Sequence, residues 1–136
     1  MKKKIISLFF NLFFYFLFSL QSNATEQAWN LAKEGNKVIL IRHSLAPGGG
    51  DPADFKIDDC KTQRNLNRVG INQSKKIGKL FKQKKVPVDQ VLSSQWCRCK
   101  DTAKYAFGDY KEFMALNSTF QSPYNKNEGK QLKDLY

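Results

Sequence analysis

Sixteen almost uninterrupted apolar residues, Ile5 to Leu20, decide how much of this 136-residue chain is left to build a folded core. Lys2, Lys3 and Lys4 precede the run and Ser22-Asn23-Ala24 follows it. A positive flank, an apolar stretch and a small-residue site in that order make a secretory signal. The expected organisation is a signal peptide over Met1–Ala24, cut after Ala24, and one domain over residues 25–136. The competing reading is an uncleaved membrane anchor. Against it, the run falls short of the roughly 20 residues that span a bilayer, and Ser7, Asn11 and Ser19 interrupt it. Export implies a periplasmic or secreted protein, with the membrane involved only through the signal segment if that segment stays uncleaved.

The segment to be removed holds three lysines and no acid. The remaining 112 residues therefore carry 20 Lys and Arg against 12 Asp and Glu, a net charge of +8. Such a balance suits a phosphate-bearing ligand, a nucleic acid or an anionic surface. Nucleic acid is disfavoured, because Lys75, Lys76, Lys79, Lys82, Lys84 and Lys85 follow the polar side of one helix with no aromatic platform between them. An oxidising compartment makes a disulfide chemically accessible to Cys60, Cys97 and Cys99. Residues two apart point in different directions, so a bridge would join Cys60 to either Cys97 or Cys99; three buried thiols is the alternative. No C-x-x-C pair occurs and His43 is the single histidine, which argues against a zinc site.

Helix-like and strand-like segments alternate through the rest, the pattern of an α/β domain with a mainly parallel sheet. Thr25 is placed to cap a short helix over Glu26–Lys33 that stops at Gly35. Lys37–Arg42 reads as a strand buried on both faces, from its continuous apolar run. Residues Ser44–Leu66, rich in Gly, Pro and Asp, read as a long loop without regular structure. Asn67 is placed to cap a helix from Arg68 to about Lys84. Val88–Ser93 forms a second strand, Trp96–Phe107 a second main helix closed by Gly108, and Glu112–Leu116 a third strand. Ser118–Gly129 reads as loop and Lys130–Tyr136 as the start of a helix.

In open α/β sheets, ligands bind at the carboxyl ends of the strands. The first strand delivers Arg42 and His43 there, and the second leads to Arg98 in the first turn of a helix, where free N–H groups and the macrodipole favour an anion. Neutral imidazole is a nucleophile toward phosphorus when one ring nitrogen is held by a hydrogen bond and the other faces the substrate. Guanidinium forks match phosphoryl oxygens and neutralise charge that develops in the transition state. His43 as nucleophile, with Arg42 and Arg98 clamping the transferred group, requires no metal and no cofactor.

The spacing of Val38-Ile-Leu-Ile-Arg-His43, Leu66-Asn-Arg-Val-Gly70 and Val91-Leu-Ser-Ser-Gln-Trp-Cys-Arg98-Cys-Lys-Asp-Thr-Ala103 resembles the histidine phosphatase superfamily, also called phosphoglycerate mutase-like. Asp59-Cys-Lys-Thr-Gln-Arg64-Asn65 and Ala115-Leu-Asn-Ser118 are similar to its small secreted bacterial branch. The resemblance implies a three-layer αβα sandwich, phosphorylation of His43, phosphoryl binding by Arg42 and Arg98, and Arg64 as a further pocket residue. Two departures stand out. Ser44 follows His43 where the family has glycine, and the family's second histidine, carried on a later strand, has no counterpart here. The second departure leads to the expectation of a truncated reading frame and a sheet incomplete at its C-terminal side. Asp51, Asp54, Asp58 and Asp59 are the candidates for a general acid.

The resemblance leads to the expectation of a metal-independent phosphatase of the periplasm, acting through phosphohistidine on a phosphomonoester or a phosphorylated envelope substrate. A catalytically inactive, truncated domain that binds a phosphorylated ligand is the alternative. A third reading, docking on an anionic surface by charge alone, predicts indifference to His43 and strong salt dependence.

Overall fold

A β-strand is a property of a pair, because its backbone donors and acceptors need a neighbour. The computed structural model describes residues 25–120 and 122–135, and among them residues 37–43 join no ladder. The expected strand Lys37–Arg42 is therefore corrected: Val38 and Leu40 are 90% and 83% exposed rather than buried between layers. The apolar run alone could not supply the neighbour that would have buried it. The segment assigned as a signal, Met1–Ala24, lies outside the described residues. Among the described residues no helix is long and apolar enough to cross a membrane.

The chain divides into two compact units. In the first, whose described residues are 25–39 and 84–87, helix α1 covers 25–33. Its last turn is closed by the Glu34 and Gly35 N–H groups, which donate to the Leu31 and Ala32 carbonyls. The chain then leaves through left-handed backbone at Gly35 (φ +70°) and Asn36 (φ +52°), the conformation those two residue types tolerate best. An exposed Lys84–Glu26 ion pair at 2.6 Å lies in the same unit and adds little in water.

The second unit, residues 40–83 and 88–136, holds the rest of the regular structure. Helix α2 is Arg68–Gln83, and Asn67 caps it as expected, its Oδ1 accepting the Gly70 N–H at 2.8 Å. Helix α3 is Cys97–Phe107, stopped by Gly108 at φ +89°. α2 and α3 pack with backbones in near contact. A Cβ at Gly78 would stand 1.8 Å from the Ala106 carbonyl oxygen, so only glycine permits this approach. Phe81 and Phe107 meet edge to face at 5.1 Å beside it.

Strand β1 (Leu92–Ser93) pairs in parallel with β2 (Lys111–Glu112), Leu92 opposite Lys111 and Ser93 opposite Glu112. The Lys111 N–H donates to Val91 O at 2.9 Å and the Phe113 N–H to Ser93 O at 2.8 Å. α3 is the crossover that a parallel pair requires, so the chain is a mixed α/β protein. The expected strands Val88–Ser93 and Glu112–Leu116 shrink to these short pieces. Met114–Leu116 is instead a 3₁₀ turn, because the Leu116 and Asn117 N–H groups bond locally to Phe113 O and Met114 O. Helix α4 (Glu128–Leu135) starts two residues before the expected Lys130 and follows a 3₁₀ turn at Tyr124–Asn127. Buried Gln131 ties α4 to the turn, its Nε2 donating to Met114 O at 2.9 Å and Asn117 O at 3.0 Å.

The long segment 44–66 is not featureless. Asp59 caps a 3₁₀ turn at Cys60–Thr62 through the Lys61 N–H, and Lys56 and Asp59 form an isolated antiparallel bridge. Cys60 is disulfide-bonded to Cys97 across 37 residues, leaving Cys99 free. Closing a loop of that length in the unfolded chain stabilises the fold by about 4 kcal/mol in the chain-entropy model. Gln63, also buried, reinforces the joint: its Oε1 accepts the Cys97 N–H at 3.0 Å, and its Nε2 donates to Lys56 O and Ile57 O, each at 2.9 Å.

Candidate functional site

Ser44 seats the residue before it. Its N–H donates to Thr102 Oγ1 of α3 at 2.9 Å, and its hydroxyl shares a 2.7 Å hydrogen bond with Ser74 of α2. Thr102 in turn donates to Arg98 O at 2.7 Å. Ser44 and Ser74 are almost completely buried, so both partners of each bond are needed to avoid an orphaned polar group. A side chain where the resemblance expects glycine thus has a place built for it between the two helices.

His43 is half-buried, and its Nδ1 lies 2.7 Å from Ser44 O. A carbonyl oxygen only accepts, so Nδ1 carries the hydrogen and the neutral ring holds its lone pair on Nε2. Burial lowers the His43 pKa from its ordinary value. The Ser44 carbonyl opposes that shift, and the charges of Arg98, Arg64 and Arg42 add to it. Around neutral pH the imidazole is therefore unprotonated.

His43 lines a cleft of about 410 Å³ together with Arg42, Arg64, Arg98 and Asp51. All four basic residues singled out in the sequence meet there. Arg42 is exposed and has no hydrogen bond or ion pair within the described residues. Arg64 is partly committed, its Nε donating to Gly50 O at 3.0 Å and its Nη1 to Ala46 O, which laces the glycine-rich loop to the site. Arg98, 7% exposed, donates from Nη1 to both Asp51 oxygens at 2.8 and 3.0 Å. Its Nε is buried without a partner.

Asp51 is the acid that reaches the cleft, and it is poorly suited to give up a proton. Burial pushes its carboxyl up, but bonds from the Arg64 N–H, the Trp96 indole and Arg98, with the Arg98 charge, leave it below the usual value. The Trp96 Nε1 donates to Asp51 Oδ2 at 2.9 Å and the Arg64 N–H to Oδ1 at 3.0 Å. Asp51 is thus an ionised partner of Arg98. Asp59 is occupied as a cap, and Asp54 and Asp58 are exposed and do not line the cleft. With His43 neutral, three guanidiniums against one carboxylate leave the cleft cationic.

Several residues take roles in the site that the sequence reading did not assign to them. Trp96, expected inside α3, is its N-cap residue, 3% exposed and packed at 5.6 Å from Phe55 and 4.9 Å from Tyr124. Asn117 fixes the turn before α3: its Oδ1 accepts the Gln95 N–H at 2.8 Å and the Ser94 hydroxyl at 3.1 Å. Cys99 lines the cleft with its thiol pKa raised, chiefly by burial. Leu116 and Phe120 add apolar wall. A second cleft of about 430 Å³, near Lys82, Asp89, Phe107 and Lys111, has no histidine or arginine in its lining. Among the described residues no three His, Cys, Asp or Glu side chains stand close enough to hold a metal ion. Set beside protein-family models, curated proteins and solved structures, the chain matches none.

Proposed function

We propose that the chain is a histidine phosphatase of the superfamily its motifs resemble, hydrolysing a phosphomonoester or phosphorylated envelope substrate in the periplasm. One observation carries the reading: the Nδ1–H of His43 donates to Ser44 O, leaving a neutral Nε2 in a cleft shared with three arginines. Nε2 attacks phosphorus, an N–P bond forms, and the ester P–O bond breaks as the leaving oxygen takes a proton from water. Water then attacks the phosphohistidine, the N–P bond breaks with its electron pair returning to Nε2, and inorganic phosphate leaves. The arginines neutralise charge on the equatorial oxygens throughout, so the reaction calls on no metal. The three-layer αβα sandwich and cleavage after Ala24 belong to the same proposal.

A binding-only role is favoured by one feature of the site. The carboxylate at Arg98 is ionised and His43 is the single histidine, so the cleft offers the leaving group neither a protonated carboxyl nor a second imidazole. Hydrolysis of an aryl phosphomonoester by the native chain and by His43→Ala separates the two. Loss of turnover with an unchanged circular dichroism spectrum supports the phosphatase. Equal phosphate binding with no turnover in either form supports the binding domain, and turnover that survives in His43→Ala rejects the mechanism.

A further inference from the structure

α2 carries Arg68, Lys75, Lys76, Lys79 and Lys82 and no acidic residue. All five are exposed, and none belongs to an ion pair of the described residues. At 100° per residue they fall within about one third of the helix circumference, centred about 140° from the buried stripe of Gly70, Ser74, Gly78 and Phe81. Solvated helices usually interleave both signs, since like charges three and four residues apart repel. A stripe of one sign keeps that repulsion unless an anionic surface relieves it.

We infer that this face of α2 docks on an anionic phospholipid bilayer. Two observations favour lipid over nucleic acid. Val69 and Leu80 are 60% and 43% exposed and border the cationic stripe, so apolar side chains are available at its edge for the interfacial region. Stacking surface for bases is sparse: the one aromatic residue of α2, Phe81, is buried, and neighbouring Tyr105, 38% exposed, already has Lys75 Nζ 5.7 Å from its ring centroid. The inference is independent of the phosphatase proposal and does not involve His43.

The test is flotation of the full-length chain with vesicles of phosphatidylcholine alone or with one third phosphatidylglycerol, comparing native protein with Lys75→Gln/Lys79→Gln/Lys82→Gln. The apolar run Ile5–Leu20 contributes equally to both proteins, so the readout is the ratio of binding to the two vesicle types. Each basic residue near an anionic surface is worth about fivefold, which predicts a ratio lowered roughly 100-fold in the triple variant. It also predicts a steep loss of the native preference between low and physiological salt. An unchanged ratio in the variant, a salt-independent preference in the native chain, or tighter binding to single-stranded nucleic acid than to the anionic vesicles at equal salt overturns the inference. Should the triple variant fold poorly, Arg68→Gln/Lys76→Gln on the same exposed stripe replaces it, with the ratio expected to fall roughly 25-fold and an unchanged ratio overturning the inference.

Discussion

Gly78→Ala tests whether the α2–α3 contact holds the site together. In a solvated helix this change stabilises by about 1 kcal/mol, because alanine has the higher helix propensity. Here the new methyl would stand 1.8 Å from Ala106 O, 2.7 Å from Ala106 C and 3.0 Å from Ala106 Cα, all backbone atoms that no rotamer change can clear. Relief requires the helices to part by roughly 1.5 Å, since carbon contacts settle near 3.5 Å. Overpacking costs up to about 3 kcal/mol, and loosening the Phe81–Phe107 edge contact removes about 1 more. Net of the propensity gain, the loss is about 3 kcal/mol. For an m-value near 1.5 kcal/mol/M, the urea midpoint falls by roughly 2 M. Gly129→Ala in α4, where an added Cβ meets nothing within 4 Å, is the internal control and raises the midpoint slightly. A Gly78→Ala midpoint at or above the native value would refute the packing argument. The Ser44–Ser74–Thr102 bonds span the same two helices, so the variant also loosens the seat of His43.

Asp51→Asn leaves the Arg98 guanidinium buried without a counter-charge and destabilises by about 3 kcal/mol in urea unfolding. The native Asp51 pKa lies below the unfolded value, so its contribution is present above about pH 4 and is lost as pH falls through the folded pKa. The variant accordingly flattens the acid limb of the stability curve, and an unchanged limb contradicts the assignment. His43, whose folded pKa is lowered, titrates below 6.5 by ring-proton NMR; a midpoint at or above that value contradicts the neutral Nε2. Since the unfolded chain then binds the proton first, the same group reduces stability as pH falls from about 6.5 through the folded pKa.

What could be read from the sequence was whatever depends on local chemistry. Asn67 announces a helix because its side chain caps three residues on, and Gly108 closes α3 because it accepts φ +89°. Arg42, His43 and Arg98 line one cleft, although the strand Lys37–Arg42 expected to deliver the first two does not form. Non-local partnership could not be read. The Val38–Ile41 run carries the composition of a central strand, but composition cannot supply a neighbour, and the run is exposed. Asp51 stood in a loop of four interchangeable acids, and only folding selects it as the partner of Arg98 and Trp96. Gln63 entered only as one position of the Asp59–Asn65 motif, because a glutamine that bridges two backbone segments looks like any surface glutamine in sequence.

The central claim is that His43 Nε2 becomes phosphorylated. The most direct measurement is alkaline quenching of the chain during incubation with a phosphomonoester, followed by peptide mass spectrometry. The account predicts an acid-labile phosphoryl group on His43, carried at Nε2 because Nδ1 is held by Ser44 O, and no such adduct in His43→Ala. Phosphate release with His43 unmodified, or an adduct on another residue, would contradict it.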